Sequence, residues 1–507
     1  MKTIVILTRT NSPYSQKKEF GSKSAVELVE NWASKVSEKT VYVEKGSCVR
    51  DLLYNMNEAC KKENADTVIF SFDDVPFIDE KLTKSLLDSH FDFKSEYTYA
   101  DGYPYGFAPE VIDSGALNIL CELSQTTKEK EGNAPVNKDC IFSFLKSDIN
   151  SFEVESVLAE DDYRLFRYNF CCDKKENFIA CKKLFELTEG KNLTVNEKCL
   201  LAVKSTDILQ TVPGFYNFQI ASKCSGTCSF CPYPSCYKNK FNGEAKDSSD
   251  LMKYEDFCKA VDEIYELSEN AVISLSLWGE CFYHPELLKF VEKVLSYKSL
   301  SVFIETDGLN VNEEICNSLK KITDKAEPRT NGYEKIYFAV SMDAFTAETY
   351  SKLHNLPQEM FEKCVKSVSL LKTVTDEVYP QFVRMNDNEN ELESFYRYWN
   401  EQSNPSGGKL IIQKYDSFSG LLPDYKPADL SPVERNVCWH LRRDLCILNN
   451  GDSPLCKEFL FNNITGNVFK EGIEKVWQKT KEAVKQHLEN NYCKECKVCD
   501  EYYTYNF

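Results

Sequence analysis

Three cysteines that lie close together carry the clearest chemical signal in the chain. Cys224, Cys228 and Cys231 have the spacing CxxxCxxC, and Phe230 precedes the last of them. Thiolates at this spacing can wrap a single iron–sulfur cluster. Three thiolates on a four-iron cluster leave one iron without a protein ligand, so that iron is open to a small molecule. The loop therefore predicts a 4Fe–4S cluster with one open coordination site.

A structural zinc site or a closed electron-transfer cluster is the alternative interpretation of this loop. Either one needs a fourth ligand, and Cys236 lies only five residues beyond Cys231. Zinc knuckles favour two CxxC pairs separated by a longer loop, whereas three cysteines here fall within eight residues. The spacing favours the open cluster, and Cys236 is the residue on which the alternative depends.

A second group of cysteines lies near the end of the chain. It offers six thiols: Cys438, Cys446, Cys456, Cys493, Cys496 and Cys499. Six thiolates are enough for one four-cysteine cluster with two left over, or for two clusters of which one is incompletely ligated. We favour one auxiliary cluster. A zinc site built from Cys493, Cys496 and two partners is the alternative, because these two form a CxxC pair.

The elements that must position these residues follow from the alternation of strand-like and helical patterns. From 216 to 425, short apolar runs alternate with amphipathic segments, which predicts parallel strands joined by helices in a partial (β/α)6 barrel. Reactive groups in such barrels cluster at the carboxyl ends of the strands. Residues 1–190 alternate in the same way and predict a separate Rossmann-like α/β domain. We expect a linker at 191–215 and a small Cys-rich domain at 430–507, making an α/β multidomain chain.

Composition limits the classes of partner. The chain has 507 residues and a formal net charge of -18, which repels nucleic acid phosphates and anionic membrane surfaces. Its first residues hold only a short apolar run, too short for a signal peptide or a membrane span. Twenty-two cysteines without an export signal are typical of a reducing compartment. We therefore expect a cytoplasmic protein that binds neither nucleic acid nor membrane.

From the cysteine loop onward, the sequence resembles the radical S-adenosylmethionine superfamily. Trp278-Gly279-Glu280 is similar to the family's Gly-Gly-Glu segment, which implies that Glu280 holds the amino group of S-adenosylmethionine. Trp278 departs from the family's glycine, and this is compatible only with a backbone that avoids positive φ there. Cys281 follows directly, either as a hydrogen-atom donor to a substrate radical or as a buried apolar residue, and burial is the commoner fate.

Three further segments resemble cofactor-binding positions of that superfamily. Thr306-Asp307-Gly308 is similar to a Thr-Asn-Gly turn, which implies a role for Thr306. Ser341 and Asp343 follow the fourth strand of the pattern, where the family contacts the ribose and methionine parts of the cofactor. Asp343 is equally suited to cap the following helix. Arg384, at the end of the fifth strand, either reaches the cofactor carboxylate or forms a surface ion pair.

The tail resembles the SPASM extension that follows many of these barrels. Cys438, Gly451 and Cys456 have the spacing of its beginning, and Gly466-Asn467 resembles the linker between its two cysteine groups. The overall layout is similar to the spiro-SPASM family. The resemblance implies an auxiliary cluster close to substrate, and reduction by a small electron donor such as flavodoxin or ferredoxin.

Residues 1–190 resemble, more weakly, the nucleotidyltransferase fold of sugar-activating cytidylyltransferases. The run DTVIFSFDDVPFID is similar to the strand whose acidic residue binds Mg²⁺, which implies that Asp74 is a metal ligand. The loop after the first strand offers Lys17, Lys18 and Gly21 but no convincing phosphate-binding fingerprint. An active nucleotidyltransferase and an inactive fold used for substrate recognition are both compatible with this segment.

Three functional hypotheses follow from these patterns. The leading one is a radical enzyme that abstracts hydrogen from a peptide or a nucleotide-linked sugar, with an auxiliary cluster to transfer electrons. The second is a nucleotidyltransferase with a regulatory or electron-carrying iron–sulfur module. The third is an electron carrier without enzymatic activity, which predicts redox-active clusters and no cleavage of S-adenosylmethionine.

Overall fold

The computed structural model describes residues 2–240 and 251–504, and the chain divides into two compact units. We call Met1–Thr211 unit 1 and Val212–Phe507 unit 2. Both units are mixed α/β structures with parallel strands, so the predicted α/β class is confirmed. Within the described ranges, no helix combines the length and the apolar character that crossing a bilayer requires.

Unit 1 is built on a sheet of six strands. They are β1 Thr3–Thr8, β2 Thr40–Val43, β3 Thr67–Phe72, β4 Tyr97–Asp101, β5 Glu110–Asp113 and β6 Val154–Leu158. The strand order is β2-β1-β3-β5-β4-β6. Strands β1, β2 and β3 are parallel, whereas β5 runs antiparallel to both of its neighbours. Their carboxyl ends bring the segments after β1 and β3 to one edge of the sheet.

Helices cover this sheet and extend beyond the predicted domain end. They are α1 Ala25–Val36, α2 Val49–Glu63, α3 Glu80–Asp92, α4 Ser114–Leu123, α5 Glu129–Gly132, α6 Cys140–Lys146, α7 Lys175–Thr188, α8 Val195–Val203 and α9 Thr206–Leu209. The expected linker at 191–215 is wrong in its first part, because α8 and α9 pack on α7 and belong to unit 1. Thr194 and Glu197 form a capping box that starts α8, a signal present in the sequence.

Unit 2 is built on seven parallel strands. They are β7 Phe215–Phe218, β8 Ala271–Ser274, β9 Leu300–Thr306, β10 Ile336–Ser341, β11 Val378–Arg384, β12 Ile411–Lys414 and β13 Asp444–Ile447. Their order is β12-β11-β10-β9-β8-β7-β13, so six successive strands lie side by side as the alternation predicts. A short antiparallel pair follows, β14 Asp452–Pro454 and β15 Ile464–Asn467.

Strand β13 changes the expected domain division. It comes from the tail predicted as a separate domain at 430–507, yet it pairs in parallel with β7, with Cys446 opposite Asn217. The tail is therefore part of unit 2 rather than a unit of its own. Hydrogen bonding along an unpaired edge of β7 is the physical reason, because an exposed strand edge is a ready site for pairing.

Helices and one large core hold the sheet of unit 2. The helices are α10 Tyr233–Lys240, α11 Tyr254–Ser268, α12 Leu287–Leu295, α13 Glu313–Lys325, α14 Ala347–His354, α15 Glu359–Lys372, α16 Leu392–Trp399, α17 Trp439–Arg443, α18 Val468–Glu471, α19 Ile473–Leu488 and α20 Lys494–Val498. The core includes side chains from both the strand–helix repeats and the tail, such as Phe290, Trp399 and Trp477. This shared core fixes the strand ends that carry the candidate site.

Candidate active site

The three-cysteine loop is held by the carboxyl end of α14. The Ser229 amide donates to the carbonyl oxygen of Leu353 at 2.8 Å, and the Thr227 amide donates to that of His354 at 3.3 Å. Gly226 lies so close that a Cβ atom there would be 2.5 Å from the His354 carbonyl oxygen. Only a residue without a side chain fits at this contact. The loop is thus fixed by tertiary contacts as well as by its own sequence.

His354 is a site residue that sequence reasoning missed. Its Nδ1 atom lies 3.4 Å from the Sγ atom of Cys228, and its Nε2 atom lies 3.3 Å from Oδ2 of Asp343. The Phe230 ring packs edge-on against the imidazole with ring centroids 5.3 Å apart. His354 and Cys228 are 126 positions apart, so no local pattern could have linked them.

Cys224 is an exposed residue and Cys228 and Cys231 are partly exposed, but neighbouring atoms still desolvate the three thiols. Burial raises the pKa of Cys231 to about 12, and it also raises the pKa values of Cys224 and Cys228. The charges of Cys231 and Glu280 raise the pKa of Cys224 further, which indicates that these groups lie within electrostatic reach of each other. Thiolates in such a setting need a cation, and iron supplies one when it binds. The donor set therefore fits an iron–sulfur cluster.

Cys236, the residue on which the zinc interpretation depends, lies near this loop. It packs against the same apolar cluster as Cys231, a cluster built around Tyr233 and Trp278. The negative charge of its thiolate raises the pKa of Cys231. The structure therefore packs Cys236 and Cys231 against one apolar cluster.

Glu280 is buried at the edge of this environment. Its carboxylate accepts hydrogen bonds from the Thr306 hydroxyl at 3.0 Å, from the Asp307 amide at 2.8 Å and from the Phe282 amide at 3.1 Å. Burial and the charge of Asp307 hold the pKa of Glu280 well above its usual value. A cationic group placed beside it would be attracted by this carboxylate and would lower that pKa. Thr306 acts here by orienting Glu280.

The segment before Glu280 explains the departure at Trp278. Gly279 has a φ of +86°, whereas Trp278 is not among the residues with positive φ in the described chain. The backbone at Gly279 passes so close to Ala221 that a Cβ atom there would be 2.1 Å from its carbonyl oxygen. The Trp278 ring instead stacks on Tyr233, with centroids 5.8 Å apart. Gly279 alone therefore takes the positive φ that this turn needs. Trp278 does not take a positive φ, so a tryptophan is compatible with the backbone there.

Asp343 has a role that the sequence did not reveal. Its Oδ1 atom accepts from the Val383 amide at 2.7 Å and its Oδ2 atom accepts from the Ser341 hydroxyl at 2.6 Å. The alternative that Asp343 caps α14 is wrong, because the side chain of Thr346 accepts from the Thr349 amide and caps that helix. Asp343 is fully buried with a φ of +58°, an uncommon conformation supported by these two hydrogen bonds and by the contact with His354.

Arg384 and Cys281 both have partners within unit 2. The Arg384 guanidinium donates two hydrogen bonds to the Glu389 carboxylate, at 2.7 and 2.6 Å. This is the ion pair that the sequence offered as one of two roles. Cys281 is buried within the main core, and its sulfur lies 3.8 Å from Oε1 of Glu280. Burial strongly raises the pKa of this thiol.

Glu305 is a second residue that sequence reasoning missed. It lies one position before Thr306 on β9, and its Oε1 atom accepts from the Gln381 side-chain amide at 2.9 Å. Burial raises the pKa of Glu305. The negative charge of Asp343 also raises it, whereas the positive charge of Lys457 lowers it. The negative charge of Glu305 in turn raises the pKa of Cys231. Glu305 is the charged residue in the run of β9, a strand that is otherwise apolar or hydroxyl-bearing, and this is a signal that could have identified it.

The tail forms a second cysteine site. One cavity is lined by four of the six thiols, Cys438, Cys456, Cys496 and Cys499. The other two cysteines are not among its lining residues: Cys446 lies on β13, packed against an apolar cluster, and Cys493 starts α20. Among the described residues that line the cavity, Ser419 Oγ, His487 Nδ1 and both carboxylate oxygens of Glu458 have no hydrogen-bond partner. Four thiols around one cavity fit a four-cysteine cluster.

Buried charges lie beside this cavity. Lys457 contacts Asp416 at 3.5 Å, Glu458 at 3.8 Å and Glu501 at 3.9 Å. Burial opposes protonation of Lys457, but these carboxylates raise its pKa well above the ordinary value. The described part of the chain contains one group of three acidic residues that could hold a metal ion, with carboxylate oxygens within 4.8 Å of one another: Asp416, Asp500 and Glu501. Because Lys414 and Lys426 also pair with Asp500, lysines already neutralise this group.

The Mg²⁺ ligand expected in unit 1 is paired with a lysine. The carboxylate of Asp74 is fully buried, and Lys138 Nζ lies 2.5 Å from its Oδ1 atom. An ammonium group therefore occupies the position beside Asp74 that the resemblance assigns to a metal ion. The residues present do not fit a magnesium site.

Comparison with known sequences gives one relative that covers most of the chain. None of the known family models matches. An uncharacterized protein of Treponema pallidum (strain Nichols) is 34% identical over 373 residues, which are 72% of this chain and 98% of that protein. The spore coat polysaccharide biosynthesis protein SpsF of Bacillus subtilis (strain 168) is 24% identical over 135 residues, 26% of this chain and 53% of that protein. The chain thus spans about half of SpsF.

Solved structures that resemble the chain include radical S-adenosylmethionine enzymes. BtrN in complex with AdoMet and 2-DOIA is 15% identical with a TM-score of 0.36, over 57% of this chain and 94% of that one. Streptococcus suis SuiB bound to precursor peptide SuiA is 13% identical with a TM-score of 0.41, over 75% of this chain and 84% of that one.

Proposed function

We propose that this chain, which belongs to the same family as the uncharacterized Treponema pallidum protein, is a radical S-adenosylmethionine enzyme. One observation carries the proposal. The three-cysteine loop and the buried carboxylate of Glu280 lie in one electrostatic environment at the carboxyl ends of parallel strands. This is the edge of a parallel α/β sheet at which ligands bind.

Each residue around the proposed cofactor has a separate task. Cys224, Cys228 and Cys231 would hold three irons of the cluster and leave the fourth to the amino and carboxylate groups of S-adenosylmethionine. Glu280 would accept hydrogen bonds from the cofactor's ammonium group, since Thr306 already fixes the orientation of its carboxylate. When bound, this cofactor would supply a 5′-deoxyadenosyl radical that abstracts hydrogen from substrate.

Ser341 and Asp343 act differently in this proposal. The Ser341 hydroxyl donates to Asp343, and the Asp343 carboxylate also accepts from the Val383 amide. With these contacts Asp343 joins β10 to β11, so it positions the strand ends around the cofactor. Ser341 is partly exposed and is the better candidate for direct contact with the ribose.

The four-cysteine cavity in the tail would hold one auxiliary cluster. Cys438, Cys456, Cys496 and Cys499 supply a full set of ligands, so no substrate needs to bind this iron. Lys457 supports a role of this cluster in electron transfer. It lines the cavity, and its positive charge lowers the pKa of Glu305 beside the first cysteine loop. A positive group at this position would favour the reduced, more negative state of the cluster.

The substrate class follows only from the resemblance and is part of the proposal. We propose a peptide or a nucleotide-linked sugar as substrate, and a small donor such as flavodoxin or ferredoxin as the source of electrons.

The test is anaerobic cleavage of S-adenosylmethionine. Clusters are reconstituted and reduced, the cofactor is added, and 5′-deoxyadenosine is quantified for the wild type and for a variant with Cys224, Cys228 and Cys231 replaced by Ala. We expect product from the wild type alone. A Cys236→Ala variant is the matched control, because it removes a thiol from the same region and should leave product formation unchanged.

Two outcomes would contradict the proposal. Absence of cleavage by a fully reduced wild-type cluster would favour a closed site. In that event Cys236→Ala would lower the metal content of the loop, because Cys236 would be the fourth ligand. A wild type that carries redox-active clusters but never cleaves the cofactor, with Cys236 not required, would instead support an electron carrier.

A further inference from the structure

Unit 1 contains a buried ion pair at the carboxyl end of β3. Asp74 follows this strand and is 0% exposed, and Lys138 Nζ lies 2.5 Å from its Oδ1 atom. The other carboxylate oxygen, Oδ2, is also buried and has no hydrogen-bond partner among the described residues. A carboxylate in such a setting is stable as an anion only beside a cation. Lys138 is the cation that the chain itself supplies.

The surroundings of Lys138 keep its ammonium group in place. Its Nζ atom lies 4.3 Å from the ring centroid of Phe72 and 5.7 Å from that of Tyr105, so two aromatic faces stabilise the charge. Burial alone would lower the pKa of Lys138, but the charges of Asp74, Cys171 and Asp173 raise it. The contacts of this lysine are therefore those of a fixed ion.

A hydrated divalent cation does not fit the same place. Mg²⁺ requires near-octahedral oxygen ligands at about 2.0–2.1 Å and usually keeps several waters. At Asp74 one oxygen contacts the ammonium group and the other is sealed from solvent. The neighbouring Asp73 is no substitute, since its Oδ1 atom accepts from the amide and the hydroxyl of Thr10. Adding a divalent ion would also bring two cations together at one carboxylate.

We infer that Lys138 is a built-in cation that replaces the divalent metal of the nucleotidyltransferase-like site, so that unit 1 does not carry out metal-dependent nucleotidyl transfer. Metal-dependent nucleotidyl transfer relies on a divalent ion to neutralise phosphate charge. The Lys138 ammonium cannot take over this task, because Asp74 already neutralises it. Of the two roles left open for this unit, recognition without transfer is the one that this ion pair supports.

The experiment titrates full-length protein with Mn²⁺ by calorimetry. The wild type is compared with a double variant, Asp74→Asn with Lys138→Met, which removes both charges of the pair and leaves no buried ion unpaired. We expect the two proteins to bind the same number of Mn²⁺ ions with the same affinities. A wild-type site that is lost in the double variant would overturn the inference.

Single variants test the replacement itself. Lys138→Met removes the counter-ion of Asp74 and should gain one saturable Mn²⁺ site, which the added Asp74→Asn change removes. Lys138→Arg keeps the charge and should gain none. A folded Lys138→Met protein that gains no site would contradict the replacement. If Lys138→Met does not fold, the comparison of wild type with the double variant still shows whether the wild type has a Mn²⁺ site at Asp74.

A turnover assay gives an independent readout. Pyrophosphate release from CTP is measured with excess Mg²⁺ and a set of phosphorylated and acidic sugars as acceptors of the cytidylyl group, and we expect none above background from the wild type. Release that disappears in the double variant would show an active nucleotidyltransferase and would overturn the inference. Neither result bears on cleavage of S-adenosylmethionine, so this test and that of the proposed function fail separately.

Discussion

At the residue scale, the backbone at Gly279 decides where Glu280 lies, the residue that we propose as a ligand of the cofactor's ammonium group. The positive φ of Gly279 and its close approach to Ala221 turn the chain so that the Glu280 amide donates to the Lys223 carbonyl oxygen at 2.7 Å. A side chain at Gly279 would push two strand ends apart. The adjacent Trp278 is tolerated because it needs no such conformation.

We therefore expect Gly279→Ala to weaken binding of S-adenosylmethionine by more than about tenfold, measured by calorimetry on reconstituted protein. Gly332→Ala is the matched control. Gly332 has a φ of +83°, close to the +86° of Gly279, but nothing lies within 4 Å of a Cβ atom built there. The control should cost only backbone strain, about 1 kcal/mol, and leave affinity unchanged. Equal losses in both variants would contradict this account.

A buried acid in unit 1 gives a pH-dependent prediction. The Oε2 atom of Glu110 is buried without a hydrogen-bond partner among the described residues, and burial raises its pKa from 4.5 to about 8. Because the folded-state pKa is the higher one, the folded protein holds this proton more tightly. Protonated Glu110 therefore adds to the free energy of unfolding. This contribution is fully present below about pH 4.5 and is lost as pH rises to about 8.

The expected loss is at most about 5 kcal/mol, from 1.36 kcal/mol for each unit of pKa. Glu110→Gln removes the titrating group while keeping the size of the side chain. We expect the melting temperature of unit 1 to fall between pH 6 and pH 9 in the wild type, and to fall less in the variant. Parallel curves for the two proteins, measured by calorimetry, would show that Glu110 does not titrate in this range.

At the scale of elements, strand β13 separates the tail cysteines into two kinds. Cys446 is fixed on this strand opposite Asn217, because β13 completes the edge of the sheet beside β7. Cys456 lies beyond the strand and lines the cavity. The sequence offered six equivalent thiols, and strand pairing is what removes Cys446 from the set around the cavity.

Two alanine variants test this division. Cys456→Ala should lower the iron content by about four atoms per chain, the content of one 4Fe–4S cluster. Cys446→Ala removes another buried thiol and should leave the iron content unchanged. Both should still form 5′-deoxyadenosine, since the first cysteine loop is intact. Loss of iron in Cys446→Ala, measured on folded protein, would place this residue among the ligands.

At the scale of the whole molecule, each unit has hydrophobic core clusters made of its own described residues. The core clusters of unit 1 consist of residues from its own sheet and helices, and the large cluster of unit 2 includes the tail. A unit with its own core is expected to fold alone. Residues 212–507 hold every cysteine assigned above to a cluster.

We expect residues 212–507, produced without unit 1, to unfold cooperatively and to form 5′-deoxyadenosine at a rate within about tenfold of the full chain. Residues 1–211 alone should unfold cooperatively and bind no iron. Circular dichroism, iron analysis and product quantification check these outcomes. Aggregation of residues 212–507 under conditions in which the full chain is soluble would contradict the independence of the two cores.

The sequence by itself determined the features that depend on local spacing. The three-cysteine loop, the succession of six strands and helices, and Glu280 after the second strand of that succession all follow from residues close together in the chain. Local periodicity and turn chemistry act over a few residues, so a sequence displays them directly. The α/β class could be predicted for the same reason.

Only the tertiary structure decided which distant residues meet. His354 contacts Cys228 across 126 positions, and Lys138 neutralises Asp74 across 64. The same holds for the four thiols around the tail cavity and for Thr346 rather than Asp343 as the cap of α14. Such contacts are set by how strands pair and helices pack, and burial then fixes the charge partners. A single sequence contains no local signal for them.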